Sequence, residues 1–241
     1  SFVVFISAHK AILSTTKTKW LYGILFAGSF YYVLFISTGT SGQLLALSLL
    51  CLLIVQHFGG KALIFLPVFI LFLGVLTISI ENNTINYAIS KIESRISDID
   101  TKNPNTRPQL AIHAFKLFSE DPIIGTGVGS YRTTLEAKQP EFAERTPHKW
   151  NPHNEYLIIS VQLGLLGLLT LLFLFYTQAR TTQQIQDKEQ RFLAQGLVVL
   201  IVIGCFGNSM IMDSGEGHFW AFFSALFFSN LMMKKKKYSP V

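Results

Sequence analysis

The sequence Trp150-Asn151-Pro152-His153-Asn154-Glu155-Tyr156 leads directly into an apolar run that continues to residue 176. About 20 apolar residues are enough to cross the hydrocarbon core of a bilayer, so this run predicts a membrane-spanning helix. Proline fixes the backbone at the entry to the helix, and the helix fixes where the imidazole of His153 points. The sequence therefore predicts a histidine at the boundary between lipid and water, beside a rigid turn and the side-chain amide of Asn154.

The composition of the whole chain also predicts a membrane protein. The chain is 50% hydrophobic and 14% charged, with a mean hydropathy of +0.40, whereas a soluble domain is usually about 25% charged. The net charge of +6 includes four lysines at 234–237. This block follows an apolar segment, so it indicates membrane orientation and attraction to anionic lipid, and no nucleic acid partner is predicted. Cys51 and Cys205 lie in apolar runs and are expected to pack as small hydrophobic side chains.

Six apolar runs predict an all-α, polytopic helical bundle. They cover residues 20–36, 44–55, 62–80 (with a kink at Pro67), 156–176, 192–206 and 219–233. Residues 1–8 are too short to span, and we expect them to be the end of an earlier span in a longer protein. The predicted domains are membrane spans at 1–80, a loop domain at 81–155, three spans at 156–233 and a basic tail at 234–241. The positive-inside rule places the tail and residues 180–191 in the cytoplasm, and the loop domain outside.

Residues 81–155 differ in kind from the spans, because they hold 19 of the 34 charged residues and six of the eight prolines. Isoleucines at 85, 89, 92, 96 and 99 predict an amphipathic helix. A second helix is expected at 108–119, with Leu110, Ala111, Ala114, Phe115 and Phe118 on one face. The Gly-Thr-Gly-Val-Gly sequence at 125–129 lacks the flanking strand of a dinucleotide fingerprint. We expect it to be a turn that brings the second helix close to the spans, and we expect residues 132–151 to be irregular.

Two side chains are the leading candidates for chemistry. The pKa of histidine lies near working pH, so His153 is a candidate general base or orienting donor; the alternative is an interfacial histidine that anchors a helix end. Arg107 begins the second predicted helix, where a cation opposes the helix dipole unless an anion is bound. A pyrophosphate fits that position. The alternative for Arg107 is a weak surface ion pair with Asp98 or Asp100.

Other polar residues suggest supporting roles. Asp98 and Asp100 are spaced like a metal-binding acid pair, but residues two apart do not share a helix face, so no metal site is predicted. The sequence Asp213-Ser-Gly-Glu216-Gly-His218 is expected to form an external turn, which either binds an acceptor or caps the last span. Positive charges outside the membrane at Arg132, Arg145 and Lys149 suit an anionic lipid-linked donor.

Four stretches together resemble a known family. Residues 107–129 (Arg-Pro-Gln … Gly-Val-Gly), 152–157 (Pro-His-Asn-Glu-Tyr-Leu), 162–168 (Gln-Leu-Gly-Leu-Leu-Gly-Leu) and 213–219 resemble the O-antigen ligase and O-antigen polymerase superfamily, and its ligase-type members in particular. The resemblance implies a GT-C-like membrane glycosyltransferase with a large periplasmic loop in the bacterial inner membrane. It implies a glycan on undecaprenyl pyrophosphate as donor, the lipid A–core as acceptor, and no metal or other cofactor.

The resemblance also implies roles for individual residues. The family's loop arginine corresponds to Arg107, which would hold the pyrophosphate, and its essential histidine corresponds to His153, which would orient or deprotonate the acceptor hydroxyl in an inverting transfer. Asn154, Arg132, Lys149, Glu216 and His218 are the predicted substrate-binding residues. The family usually carries a further arginine in the turn at 38–42, which here contains no basic residue. Either Arg132, Arg145 or Lys149 replaces it, or the activity is altered.

Three alternatives remain open at the level of sequence. Polymerase members of the superfamily extend the glycan instead, and a pilin-type protein O-oligosaccharyltransferase uses a Ser or Thr acceptor. A glycolipid transporter is the non-enzymatic alternative. The predicted spans contain almost no ionisable groups, and an ion- or proton-coupled path usually needs some, which argues against transport.

Overall fold

The structure is a computed structural model that describes residues 1–14, 17–37, 40–61, 106–146 and 151–237. Every regular element within these ranges is a helix. The chain divides into two compact units, one formed by Ser1–His57, Asn154–Tyr156 and Leu168–Val241, the other by Phe58–His153 and Leu157–Gly167. The predicted span at 62–80, the predicted helix at 85–99 and Lys149 lie outside the described residues.

The helices confirm the predicted fold class. In chain order they are α1 (Phe2–Leu13), α2 (Thr18–Tyr31, continued by the π-helical segment Tyr32–Ile36), α3 (Thr40–Phe58), α4 (Arg107–Glu120), α5 (Tyr131–Lys138), α6 (Pro140–Arg145), α7 (Glu155–Thr182), α8 (Lys188–Gly207) and α9 (Ser214–Lys237). The described residues include four helical segments long and apolar enough to cross a membrane: Thr18–Ile36, Ser41–Phe58, Glu155–Thr182 and Lys188–Gly207. The protein is a polytopic helical membrane protein.

Several boundaries differ from the sequence-based expectation. Helix α3 extends beyond the short run at 44–55, which gives it 19 residues. Helix α9 begins at Ser214, five residues before the predicted last span, so Glu216 and His218 belong to its first turns and not to an external turn. Helix α1 continues past the apolar residues 1–8 to Leu13, and His9 within this extension is buried.

In the first unit, α1 packs closely against α8. A Cβ on Gly196 of α8 would lie only 2.1 Å from the ring of Phe5, so the contact requires a glycine. Beside it, His9 Nε2 donates to Gln56 Oε1 at 2.9 Å, and the Gln56 amide donates to Gln195 Oε1 at 2.9 Å. His9 Nδ1 lies 3.0 Å from His57 Nε2. This polar chain satisfies groups that would otherwise be unpaired in an apolar interior.

In the second unit, three short helices pack on the start of α7. Their common core consists of Leu110, Ala114, Leu117, Tyr131, Leu135, Phe142, Ala143, Ile158 and Val161. The spacing of Leu110, Ala114 and Leu117 places them on one face of α4. Helix α4 matches the predicted helix within one residue at each end. Its buried face differs from the predicted one, because it includes Leu117, whereas Phe115 is exposed.

The prediction of irregular backbone over 132–151 was wrong for residues 132–138 and 140–145, which are helical. Helix α5 buries Tyr131 and Leu135, four residues apart, against the core, and Pro140 occupies the first turn of α6. Proline is well accommodated there, because the first turn has no intrahelical partner for its missing N–H. The sequence of α5 is too short and too polar to show this periodicity without its packing partners.

Candidate functional site

The second unit is built around a break in α7. Gly164 has φ 63° and ψ −160°, which is not helical, and this region of backbone conformation is open essentially only to glycine. Gly125 of the glycine-rich loop, with φ +77°, lies directly against it, because a Cβ on Gly125 would come within 2.5 Å of Gly164 N. A Cβ on Gly164 would in turn lie 2.3 Å from Ile123 O. The two glycines therefore allow loop and helix to approach backbone to backbone.

The loop replaces the hydrogen bonds that the break removes from the helix. The carbonyl oxygens of Val161 and Gln162 accept from the N–H groups of Thr126 (3.0 Å) and Gly127 (2.8 Å). On the other side of the break, Leu165 N–H donates to Pro122 O at 2.7 Å. The side chain of Gln162 adds a bond from Gly129 N–H at 2.7 Å. Residues 125–129 therefore contact α7 directly through backbone hydrogen bonds.

His153 has a backbone conformation that is unusual for its residue type. Its φ is +52°, and it is the one non-glycine residue with positive φ in the described part of the chain. Its N–H donates to the side-chain oxygen of Asn151 at 2.8 Å, which closes a local turn. Histidine and asparagine tolerate this left-handed region better than most residues, but a non-glycine residue held there is often functional. The turn thus fixes the direction in which the imidazole leaves the backbone.

The three residues after His153 each bind the C-terminal part of α8 or the turn that follows it. Asn154 Nδ2 donates to Phe206 O at 3.1 Å, and the Tyr156 hydroxyl donates to Val202 O at 2.7 Å. Glu155 Oε2 accepts from the N–H groups of Ile211 (2.9 Å) and Met212 (3.4 Å). All of these contacts lie within the first unit. They fix the position at which α7 begins.

Glu155 was not among the candidate site residues predicted from the sequence, yet a carboxylate is the least expected side chain at a buried position in this group. It is only 1% exposed, and its second oxygen, Oε1, is buried with no hydrogen-bond partner among the described residues. Burial of a carboxylate costs free energy, so a buried carboxylate usually has a structural or functional role. The available signal was an acidic residue placed at the first position of a long apolar run.

Arg107 is the first residue of α4, as predicted, and its side chain is exposed. Thr106 at the N-cap forms no side-chain cap, so the first N–H groups of the helix are not capped by it. The N–H groups of a helix's first turn favour an anion, and a guanidinium beside them would bind the same anion. Arg107 and His153 belong to the same compact unit.

The remaining predicted substrate-binding residues divide into two groups. Arg132 has structural contacts, since it donates to Glu136 Oε1 (2.6 Å), Thr146 O (2.9 Å) and Ala143 O (3.3 Å). It therefore ties α5 to the end of α6. Glu216 and His218 are exposed on α9. Asn154, which is half-buried, belongs to the same first unit. The contact of His218 Nδ1 with Ser214 O lies within that helix end.

Sequence comparison identifies the family. The model of the family described as O-antigen ligase matches residues 21–172, which is more than half of the chain. The chain belongs to the O-antigen ligase family. A protein of Rickettsia conorii (strain ATCC VR-613 / Malish 7), whose name describes it provisionally as a polysaccharide ligase, is 23% identical over 161 residues, covering 62% of this chain. The chain spans little more than a third (37%) of that relative's length.

The region matched by the O-antigen ligase family contains the main features described above. Arg107, the 125–129 loop, His153 and the break at Gly164 all lie within residues 21–172. Glu216 and His218 lie beyond it. Both the matched family and the relative are described as ligases, and the four long apolar helices of the described residues fit a membrane protein.

Proposed function

We propose that this member of the O-antigen ligase family transfers a glycan from undecaprenyl pyrophosphate to the lipid A–core, at the periplasmic face of the bacterial inner membrane. The observation that carries the proposal is His153, a titratable side chain in a left-handed turn at the entry to an apolar helix. A general base must be held in one pose relative to the proton that it removes. The hydrogen bond from the His153 N–H to the Asn151 side chain, in the same unit, supplies that restraint.

The proposed reaction is a single displacement at the anomeric carbon of the donor sugar. His153 accepts the proton of an acceptor hydroxyl as its oxygen bonds to the anomeric carbon. The bond from that carbon to the pyrophosphate oxygen breaks with its electron pair, and undecaprenyl pyrophosphate leaves. Attack from the face opposite the leaving group inverts the configuration.

Arg107 has the complementary role in this proposal. Negative charge grows on the pyrophosphate as the bond breaks, and a guanidinium can bind two of its oxygens at once. The uncapped start of α4 would add backbone N–H donors to the same anion,. Positive charge from these groups would serve a reaction that uses no metal ion. Lys149 and Arg132 are weaker candidates, since Lys149 lies outside the described residues and Arg132 already binds three protein oxygens.

The test is complementation of a strain that lacks this protein, with lipopolysaccharide analysed on gels and by mass spectrometry. His153→Asn keeps a residue that tolerates positive φ but cannot accept a proton, and Arg107→Ala removes the guanidinium. Each variant is expected to lose at least about 100-fold in capped lipopolysaccharide, in line with typical losses for a general base at His153 and for a group that stabilises developing charge at Arg107. Lys116→Ala, which removes an exposed cation from the same helix as Arg107, is the matched control and should retain full activity.

The same strain also separates the alternatives. Loss of capped lipid A–core with normal donor glycan length supports the ligase. Loss of long glycans with single repeat units still attached would show a polymerase, and loss of glycosylated pilin would show a protein O-oligosaccharyltransferase. Accumulation of donor on the cytoplasmic leaflet would show a transporter. Wild-type capping by both His153→Asn and Arg107→Ala would refute the proposed mechanism.

A further inference from the structure

We propose that residues 122–128 form a membrane-embedded loop, with the side chains of Ile123, Ile124 and Val128 among the acyl chains of the periplasmic leaflet. The proposal concerns the position of the loop in the bilayer and does not depend on which glycan is transferred. It rests on three observations about this loop and its contacts with α7.

The first observation is the exposure of the loop's apolar side chains. Ile123 is 66% exposed, Ile124 73% and Val128 81%. Three large aliphatic side chains on one short loop form an apolar surface of the kind that marks an interaction site. They are continuous with α7, since Leu166 N–H lies 3.4 Å from Ile123 O, and Leu163, Leu165 and Leu166 of that helix are also exposed.

The second observation is that the loop's backbone has internal hydrogen-bond partners. Irregular backbone is tolerated at membrane depth only where its polar groups are satisfied by protein. The N–H groups of Gly125, Thr126 and Gly127 donate to Asp121 O, Val161 O and Gln162 O, and Pro122 O accepts from Leu165. Gly129 N–H is bound by the Gln162 side chain. The loop can therefore enter hydrocarbon without the cost of leaving these groups unpaired.

The third observation is the position of the break along α7. If Arg180 marks the cytoplasmic boundary, a span of about 20 residues begins near residue 160, which places Gly164 roughly 6 Å inside the hydrocarbon. Charged groups lie just before the loop, where Lys138 binds Glu120 (3.0 Å) and Asp121 (2.6 Å). They would mark the level of the lipid headgroups. Acyl chains are therefore the occupant that fits the exposed aliphatic surface.

The experiment uses spin labels on the full-length protein in liposomes of phosphatidylethanolamine and phosphatidylglycerol. Single cysteines replace Ile124 or Val128 in a background carrying Cys51→Ala and Cys205→Ala. The rate at which each nitroxide collides with oxygen, which concentrates in hydrocarbon, is compared with the rate at which it collides with a water-soluble nickel chelate. Leu166→Cys is the control for lipid contact, and Glu144→Cys, exposed on α6, is the control for water.

Labels at positions 124 and 128 are expected to match Leu166→Cys, with oxygen collisions several-fold above those of Glu144→Cys relative to nickel. Nickel collisions equal to those at position 144 would overturn the proposal, because the loop would then lie in water. Protection from both reagents would also overturn it, because another protein segment would then cover the surface. Use of two loop positions keeps the test valid if one substitution prevents folding.

Discussion

At the scale of single residues, Glu155 shows how the start of α7 is held in place. Its carboxylate binds two N–H groups of the turn after α8, and it follows His153 by two positions in the chain. Position in the sequence alone could suggest a catalytic carboxylate. Its almost complete burial indicates instead that it positions the turn and the helix end.

Replacement of Glu155 by alanine is expected to destabilise the protein by roughly 2–3 kcal/mol, because two N–H groups of the partly buried turn lose their charged acceptor,. Glu155→Gln keeps an acceptor oxygen, so its loss of stability should be less than half that of Glu155→Ala. Thermal unfolding of the purified variants in detergent measures both. Equal stability of Glu155→Ala and the wild-type protein would show that the Ile211 and Met212 bonds contribute nothing.

Tyr131 is expected to have the opposite effect to Glu155, because its buried polar group lowers the stability of the fold. Burial raises the pKa of its hydroxyl to about 12, and within the described residues that hydroxyl has no hydrogen-bond partner. Tyr131→Phe removes an unsatisfied buried group while keeping the ring, so we expect a gain of about 1 kcal/mol. A lower melting temperature for Tyr131→Phe would mean that the hydroxyl has a stabilising contact after all.

At the scale of elements, the sequence predicted the helices with long apolar runs and missed the features that depend on distant partners. Hydropathy identified α2, α3, α7 and α8 without further information. The break in α7 escaped notice, because a glycine in an apolar run is typical of an unbroken span. Only the loop from Pro122 to Gly129, more than 30 residues earlier, shows why that glycine is needed. The helix α5 was missed for a similar reason, since its core partners lie on other elements.

The close contact between Gly125 and Gly164 can be tested by substitution, with a glycine in open space as the control. Gly164→Ala and Gly125→Ala each place a methyl group within 2.5 Å of backbone atoms at a positive φ, and each should destabilise by roughly 3 kcal/mol or more. Gly28→Ala, on α2 with open space around it, should be neutral or slightly stabilising. Yield of folded protein after detergent extraction measures the difference. Similar yields for all three variants would contradict the close approach of loop and helix.

Protonation of His113 is expected to lower the stability of the second unit. The ring centroids of His113 and Phe142 lie 3.5 Å apart, and the imidazole contacts Gln139 Oε1. Burial lowers the pKa of His113 below the ordinary 6.5; Lys116 and Arg145 act in the same direction, and the Gln139 hydrogen bond opposes them. The unfolded chain therefore takes up the proton first. The stability from neutral His113 is complete above pH 6.5 and is lost as the pH falls toward the folded pKa.

We therefore expect the melting temperature to fall between pH 7.5 and pH 5.5, and to fall by less in His113→Gln. The glutamine cannot titrate, but its amide can still donate to Gln139. The difference between the two proteins isolates His113 from the other histidines. A larger fall in melting temperature for His113→Gln than for the wild-type protein would show that protonation of His113 stabilises the fold, which contradicts this prediction.

At the scale of the whole molecule, the candidate site could be predicted from sequence in its parts but not in its geometry. The Pro-His-Asn turn, the helix start at Arg107 and the glycine-rich loop were all visible as motifs. The left-handed backbone of His153 and the contacts of Asn154, Glu155 and Tyr156 with α8 and its following turn were not. Those contacts join residues 46 to 57 positions apart, and no local pattern in the sequence specifies them.

The central claim is that the imidazole of His153 takes the proton of the acceptor. The most direct measurement is the rate of glycan transfer by purified full-length protein in proteoliposomes, with His153→Gly compared to the wild-type protein. Glycine adopts the positive φ without strain, so only the imidazole is removed. The account predicts a rate at least about 100-fold lower, with partial recovery when free imidazole is added. A His153→Gly protein that transfers glycan at the wild-type rate would contradict it.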